Sequence, residues 1–167
     1  MAELVAKERL QPSLLDRLTD HSPGEKTEAR EQRVMSYRQL RQSVLRDLSW
    51  LLNTTAFEAL EDLSTAPQVA RSVINYGIPA LSGTNLSSLD SGKLEQKIKQ
   101  AIVNFEPRIL AASLNVDIVM AEEQMSHKSV SFKIEGDLWA QPLPVHLYIR
   151  SDLDLETGEF KVSDLGG

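Results

Sequence analysis

The 167-residue chain predicts an α+β fold in which N-terminal helices pack on one face of a small C-terminal antiparallel sheet. Two observations carry this. Up to Phe105 apolar residues recur every third or fourth position, and after Pro107 they alternate every second position. Helix-like segments come first and strand-like segments after, so the two kinds of element segregate instead of interleaving as in parallel α/β folds. The composition suits a soluble globular chain at 41% hydrophobic and 25% charged residues. Aromatics make up only 5%, which leaves the core to Leu, Ile and Val.

The first element is LQPSLLDRL, residues 10–18, where Leu10, Leu14, Leu15 and Leu18 share one helical stripe. Pro12 suits a first turn, and Ser13 with Asp16 makes a short capping pair. Residues 20–33, DHSPGEKTEAREQR, lack apolar periodicity and hold Pro23 and Gly24, the pattern of a flexible, solvated connector. The chain thus divides into an N-terminal helix and flexible charged linker, 1–33, and a main domain, 34–167. The tethered leucine stripe either folds back on its own domain or docks on a neighbouring subunit as a helix in a groove.

Tyr37, Leu40, Val44, Leu48 and Leu51 define an amphipathic helix of about 17 residues ending near Asn53. Arg38, Arg41, Arg46 and Asp47 fall between them, as a solvated face or as a surface that meets an acidic neighbour. Val69, Val73 and Ile74 suggest a short buried helical turn. Gly77 is a positive-φ stop, and Pro79 keeps the helix from resuming. Asn75 and Tyr76 fall in that turn, where Asn bonds local backbone and Tyr packs with its hydroxyl wet. Asp90 caps the next helix, with a Leu89–Leu94 staple. Leu94, Ile98, Ile102 and Phe105 face inward there, and Lys93, Glu95, Lys97 and Lys99 face water.

Three one-sided strands follow: LNVDIVM at 114–120, VSFKIEG at 130–136 and PVHLYIR at 144–150. In the last, Val145, Leu147 and Ile149 alternate with His146, Tyr148 and Arg150. LETGEF at 155–160 reads as a tight turn into a short final strand with Phe160 and Val162.

The net charge of −6 speaks against a nucleic-acid partner, which normally calls for a basic surplus. There is no cysteine, in keeping with a reducing compartment. MAELVAKERL is not a signal peptide, and no apolar run approaches the ~20 residues of a membrane span. The reading is a cytoplasmic protein without membrane insertion. P-loop, GxGxxG, HExxH and GxSxG patterns are missing, and His21, His127 and His146 are not spaced as metal ligands. No catalytic, cofactor or metal residue is therefore assigned. With 24 acidic residues, some carboxylate pair always meets the spacing glycosidases use, so that spacing decides nothing. From Glu135 onward seven acidic residues face two basic ones, Arg150 and Lys161. Such a strand edge resists pairing with copies of itself, or waits for one basic partner strand.

The corner NFEPRI, 104–109, sets Glu106 and Arg108 either side of Pro107 where the helical pattern ends. Proline pushes Glu106 out of helical geometry. In an extended segment both side chains project to one side, with their Cα atoms roughly 6–7 Å apart. They form a surface pair worth ~0–1 kcal/mol, or Arg108 caps the preceding helix, or the fork is a docking element whose two signs a partner must meet in register.

SLLDRL at 13–18, RSVINYGIP at 71–79 and NFEPRI, in that order and followed by strands, resemble the baseplate wedge family shared by contractile phage tails and type VI secretion systems. The likeness is greatest to its type VI branch, the TssE subunits. The resemblance implies a structural subunit of a six-fold cytoplasmic baseplate at an inner-membrane-docked complex. It implies that Glu106, Pro107 and Arg108 dock on neighbouring wedge subunits. It implies that the sheet starts the strand exchange on which the contractile sheath proteins polymerise, with Val145, Leu147 and Ile149 on the strand offered. Leu14, Leu15 and Leu18 become a further partner contact. The family also carries a lysozyme label, so the alternative is a peptidoglycan-hydrolysing enzyme; nothing in these residues supplies its chemistry.

Overall fold

In the computed structural model, residues 12–19, 23–24, 35–81, 90–119, 129–140 and 143–166 are described. Leu10, Leu89 and Met120, and most of the 20–33 connector, lie outside that set. The elements are α1 (Leu14–Leu18), α2 (Tyr37–Leu52), α3 (Pro67–Ala70), α4 (Ser91–Phe105), β1 (Asn115–Val119), β2 (Ser129–Leu138), β3 (Val145–Asp154) and β4 (Phe160–Asp164). Short 3-10 turns at Phe57–Ala59 and Val73–Asn75 flank α3. No helix among the described residues is long and apolar enough to cross a membrane.

Helix α2 starts at a reciprocal cap. The Ser36 hydroxyl accepts the Gln39 N–H at 3.2 Å, and Gln39 Oε1 accepts the Ser36 N–H at 2.8 Å. Its stripe buries Leu40, Val44, Leu48, Leu51 and Leu52. Tyr37 is exposed; the core begins one turn later, at Leu40. Helix α4 is capped by Asp90, which accepts the Lys93 N–H at 3.1 Å, and buries Leu94, Ile98, Ala101 and Ile102. The two helices touch each other and cover one sheet face, α2 over β4 and α4 over β1.

The sheet is antiparallel throughout, in the order β1-β2-β3-β4. β2 and β3 pair over all ten residues, from Ser129↔Asp154 to Leu138↔Val145. β3 therefore runs past Arg150 to Asp154, four residues beyond the alternation that announced it. Val116, Val130, Phe132, Ile134, Leu138, Leu147, Ile149, Leu153 and Phe160 line the buried face. Gly158 turns the chain into β4 with φ 77°.

Between α2 and α4 the chain behaves less simply. Gly77 has φ 128°, and a Cβ there would lie 2.3 Å from the Thr54 carbonyl oxygen. That close approach lets Ile78 N–H reach Thr54 O and Ala56 N–H reach Ile78 O. The expected burial of Val73 and Ile74 does not occur: they are 81% and 63% exposed, and Asn75 is the buried residue of that turn. The cause is hydrogen bonding. Asn75 Oδ1 accepts the Glu58 N–H at 2.8 Å and its amide donates to Ala70 O at 3.0 Å, which draws the polar side chain in and turns its apolar neighbours out. Pro12 also departs from its expected place, since it precedes the Ser13 cap and lies outside the first turn of α1.

Candidate functional site

The Glu106-Pro107-Arg108 corner is a turn, not the extended segment its proline suggested. The Ile109 N–H donates to Glu106 O at 3.1 Å across Pro107 and Arg108, the geometry in which Pro favours the second position. The turn still brings both charged side chains to one side. Arg108 Nε donates to Glu106 Oε1 at 2.6 Å, Nη2 donates to Oε2, and the Arg108 backbone N–H reaches Oε1 at 3.2 Å. Glu106 is only 3% exposed, and its buried carboxylate oxygens are occupied by these donors.

Arg108 also fastens the corner to α2. Nη1 donates to the buried Ser43 hydroxyl at 3.0 Å, and Nη2 donates to Asp47 Oδ2. Burial works against the guanidinium charge, but Glu106 and Asp47 outweigh it and push Arg108 further up from its ordinary value. Asp47 in turn accepts from Arg46 Nε at 2.8 Å, and Arg46 Nη1 donates to Asp16 of α1 at 2.6 Å. Burial raises the Asp16 carboxyl, yet Ser13, Arg46 and the nearby Arg108 charge hold it below its ordinary value. A continuous chain of charge thus runs α1–α2–corner: Asp16, Arg46, Asp47, Arg108, Glu106. The other side of the corner is zipped to β2, with Leu110 N–H on Asp137 O and Trp139 N–H on Arg108 O. Pro107 is the exposed tip of this joint.

Tyr76 lies against it, with its ring edge-on to Phe105 and its hydroxyl on Asp47 O at 3.4 Å. Burial, then the Asp47 and Glu106 charges, raise its pKa. Neither Ser43 nor Asp47 stood out in the sequence. Their one signal is that they lie one turn apart on the same flank of α2.

The other expected contact residues fall in different places. Leu14, Leu15 and Leu18 are exposed, and α1 buries none of its residues. Leu147 and Ile149 point into the core and Val145 is half-buried, so their side chains hold this chain together. β3 lies between β2 and β4, and the sheet edges are β1 and β4. Both edges carry a side-chain plug. On β1, Glu95 of α4 accepts the Ile118 N–H at 2.8 Å. On β4, Asn53 takes both backbone groups of Phe160, each at 2.9 Å. Antiparallel alternation then turns the backbone groups of Val162 and Asp164 outward along β4. β4 covers β3 only from Ile149 to Leu153, and Leu165 N–H adds one bond to Tyr148 O. β3 residues 145–147 have no described strand beside them on that side.

Chemically, the arrangement is a lock. Asp16, Asp47 and Glu106 each accept from a guanidinium. Among the described residues there is no group of three or more His, Cys, Asp or Glu side chains able to hold a metal ion.

A family model described as baseplate wedge protein gp25 matches residues 38–143. No curated protein matches. Among solved structures, one match is a Geobacter sulfurreducens protein that carries a provisional tail-lysozyme label. It is 16% identical, with a TM-score of 0.43, over 70% of this chain and 94% of that one.

Proposed function

The chain belongs to the gp25 baseplate wedge family, and from that premise we propose that it is a structural subunit of a type VI secretion baseplate that docks through the Glu106-Pro107-Arg108 corner and offers a sheet edge to the contractile sheath. A role as a wedge component that assembles with other baseplate components follows from the family itself. The finer assignments rest on the physics of the joint.

The observation that carries the reading is the internal lock on the corner. A tip whose Arg108 side chain is already fixed to α2 and whose backbone is already bonded to β2 loses little conformational freedom when a partner closes on it. Pro107 and the partly exposed Arg108 guanidinium form the face offered, while Glu106 braces it from inside. For the sheath, the outward backbone of Val162 and Asp164, continued by the uncovered half of β3 from Val145, is the edge suited to strand addition. Leu147 and Ile149 serve that edge from within the core. The main domain, 34–167, carries both surfaces, and the leucine face of α1 supplies a third contact. A cytoplasmic place at an inner-membrane-docked complex belongs to the same proposal. Peptidoglycan hydrolysis requires a carboxylic acid free to give up its proton, and the corner's carboxylates are bonded to arginine instead.

The test is Pro107→Glu. The site is exposed, so the variant keeps its circular dichroism spectrum, with a loss of ~1 kcal/mol from the freed backbone. It is expected to lose capture of purified neighbouring wedge subunits and to leave the sheath unpolymerised. Capture at wild-type affinity would refute the docking role. Cell-wall release by the purified protein would revive the enzyme.

A further inference from the structure

Resting on the wedge reading above, we propose that the Asp16–Arg46 ion pair turns α1 apolar-side-out, presenting Leu14, Leu15 and Leu18 to an apolar groove with an acidic lip on a neighbouring wedge subunit. Successive helical residues are about 100° apart, which places Asp16 about 150° from the middle of the leucine arc. Asp16 is tied to α2 by Arg46 at 2.6 Å. The leucines therefore point away from the domain and are 70%, 44% and 74% exposed. Left to the hydrophobic effect alone, a tethered leucine helix rolls inward and buries that arc. Here its one carboxylate is on the inner face, and its apolar face is held out.

The partner's chemistry follows from the flanks. Leu14 and Leu18 are one turn apart with Leu15 beside them, the anchor spacing of a helix in a groove. Arg17 is exposed about 60° from Leu14 on the wheel and has no ion pair among the described residues. A groove that accepts this helix therefore carries an acidic side chain at the lip on that flank. On α2, the Arg46 guanidinium that holds Asp16 also lies 5.1 Å over the half-exposed Trp50 ring, which fixes the side of α1 that faces the domain. The Ser13 cap and the Asp16 tie form the helix in advance, so binding need not order it.

The experiment uses the full chain with each purified neighbouring wedge subunit of its own baseplate, one at a time. Leu14→Ser/Leu18→Ser is expected to weaken capture of one subunit about tenfold or more at an unchanged melting temperature. Arg17→Glu is expected to weaken the same capture and flatten its salt dependence. A photo-crosslinker at position 18 identifies the groove, and a lysine placed at its acidic lip should restore Arg17→Glu. Unchanged capture by the double leucine variant overturns the proposal. So does a crosslink to the chain's own domain, or a concentration-dependent dimer by light scattering that the leucine variant abolishes. If the leucine variant binds normally while Pro107→Glu does not, the wedge reading stands and this inference falls. If the wild-type chain captures no wedge subunit, both fall.

Discussion

Arg108→Ala separates a corner that is structural from one that is merely exposed. Glu106 is 3% exposed and takes both guanidinium bonds from Arg108. In the variant only the backbone N–H of residue 108 still reaches the carboxylate, now at 3.2 Å from a charge without a counterion. Stranding one partner of a buried pair costs about 3–5 kcal/mol. Asp47 adds little, since its side chain is 22% exposed and Arg46 still holds it. Ser43 keeps its bond to Leu40 O. Against a total stability of about 5–15 kcal/mol this is a large loss. For a chain of this size it amounts to a fall of ~6–20 °C in melting temperature, read by far-UV circular dichroism. The sharper measurement is a sign. Glu106→Gln added to Arg108→Ala removes the stranded charge, so the double variant is expected to be more stable than Arg108→Ala alone. A single variant within ~2 °C of wild type, or a double variant less stable than the single, would refute the argument that burial of Glu106 makes the pair indispensable.

Other outcomes follow from single contacts. Ser151 is 0% exposed, and its hydroxyl has no hydrogen-bond partner among the described residues, so Ser151→Ala is expected to raise the melting temperature by ~2–4 °C in a thermal scan. Gly77→Ala forces a Cβ to 2.3 Å from Thr54 O at φ 128°, and should lower urea-unfolding stability by ~2 kcal/mol or more without changing the native sheet signal. The Glu58 carboxyl is held below its ordinary 4.5 by its bond to Lys97, with burial opposing and the Lys97 charge and Asn75 assisting. A depressed carboxyl contributes stability above its unfolded value and loses it as pH falls through the folded one. Wild type should therefore lose more stability than Lys97→Ala between about pH 5 and about pH 3, measured by denaturant titration.

The large elements were legible because each has a period and a boundary signal. Leu40 to Leu51 and Leu94 to Ile102 fixed two helices, Asp90 and Gly77 marked a start and a stop, and the alternation in β1, β2 and β3 gave three strands with the correct inner face. Val73 and Ile74 were misread because a three-residue turn has no face of its own. Its direction is set by Asn75 bonding Glu58, 17 positions away. The corner's residues were visible, but their grip was not, since Arg108 finds Ser43 and Asp47 at separations of 65 and 61 residues. Strand order had a different limit. Val145, Leu147 and Ile149 read correctly as one face of a strand, but side-chain alternation reports faces and not edges, and β4 folds back on β3 through the turn at 155–159 and makes it interior over 149–153.

The charged chain also joins α1 and the corner through one helix. Three carboxylates and two guanidiniums share it, and Arg46 and Asp47, adjacent on α2, each bond two partners. Asp16 also feels the Arg108 charge directly, and that charge helps hold its carboxyl down. α2 therefore faces two ways. Its inner stripe is apolar and fixes the sheet, while one flank is ionic and sets both the roll of α1 and the posture of the corner. Charges held in line by shared partners do not act additively. With docking at both surfaces as proposed, Pro107→Glu and Leu14→Ser/Leu18→Ser are expected to weaken capture non-additively in a double-mutant cycle, and additive losses would refute the linkage.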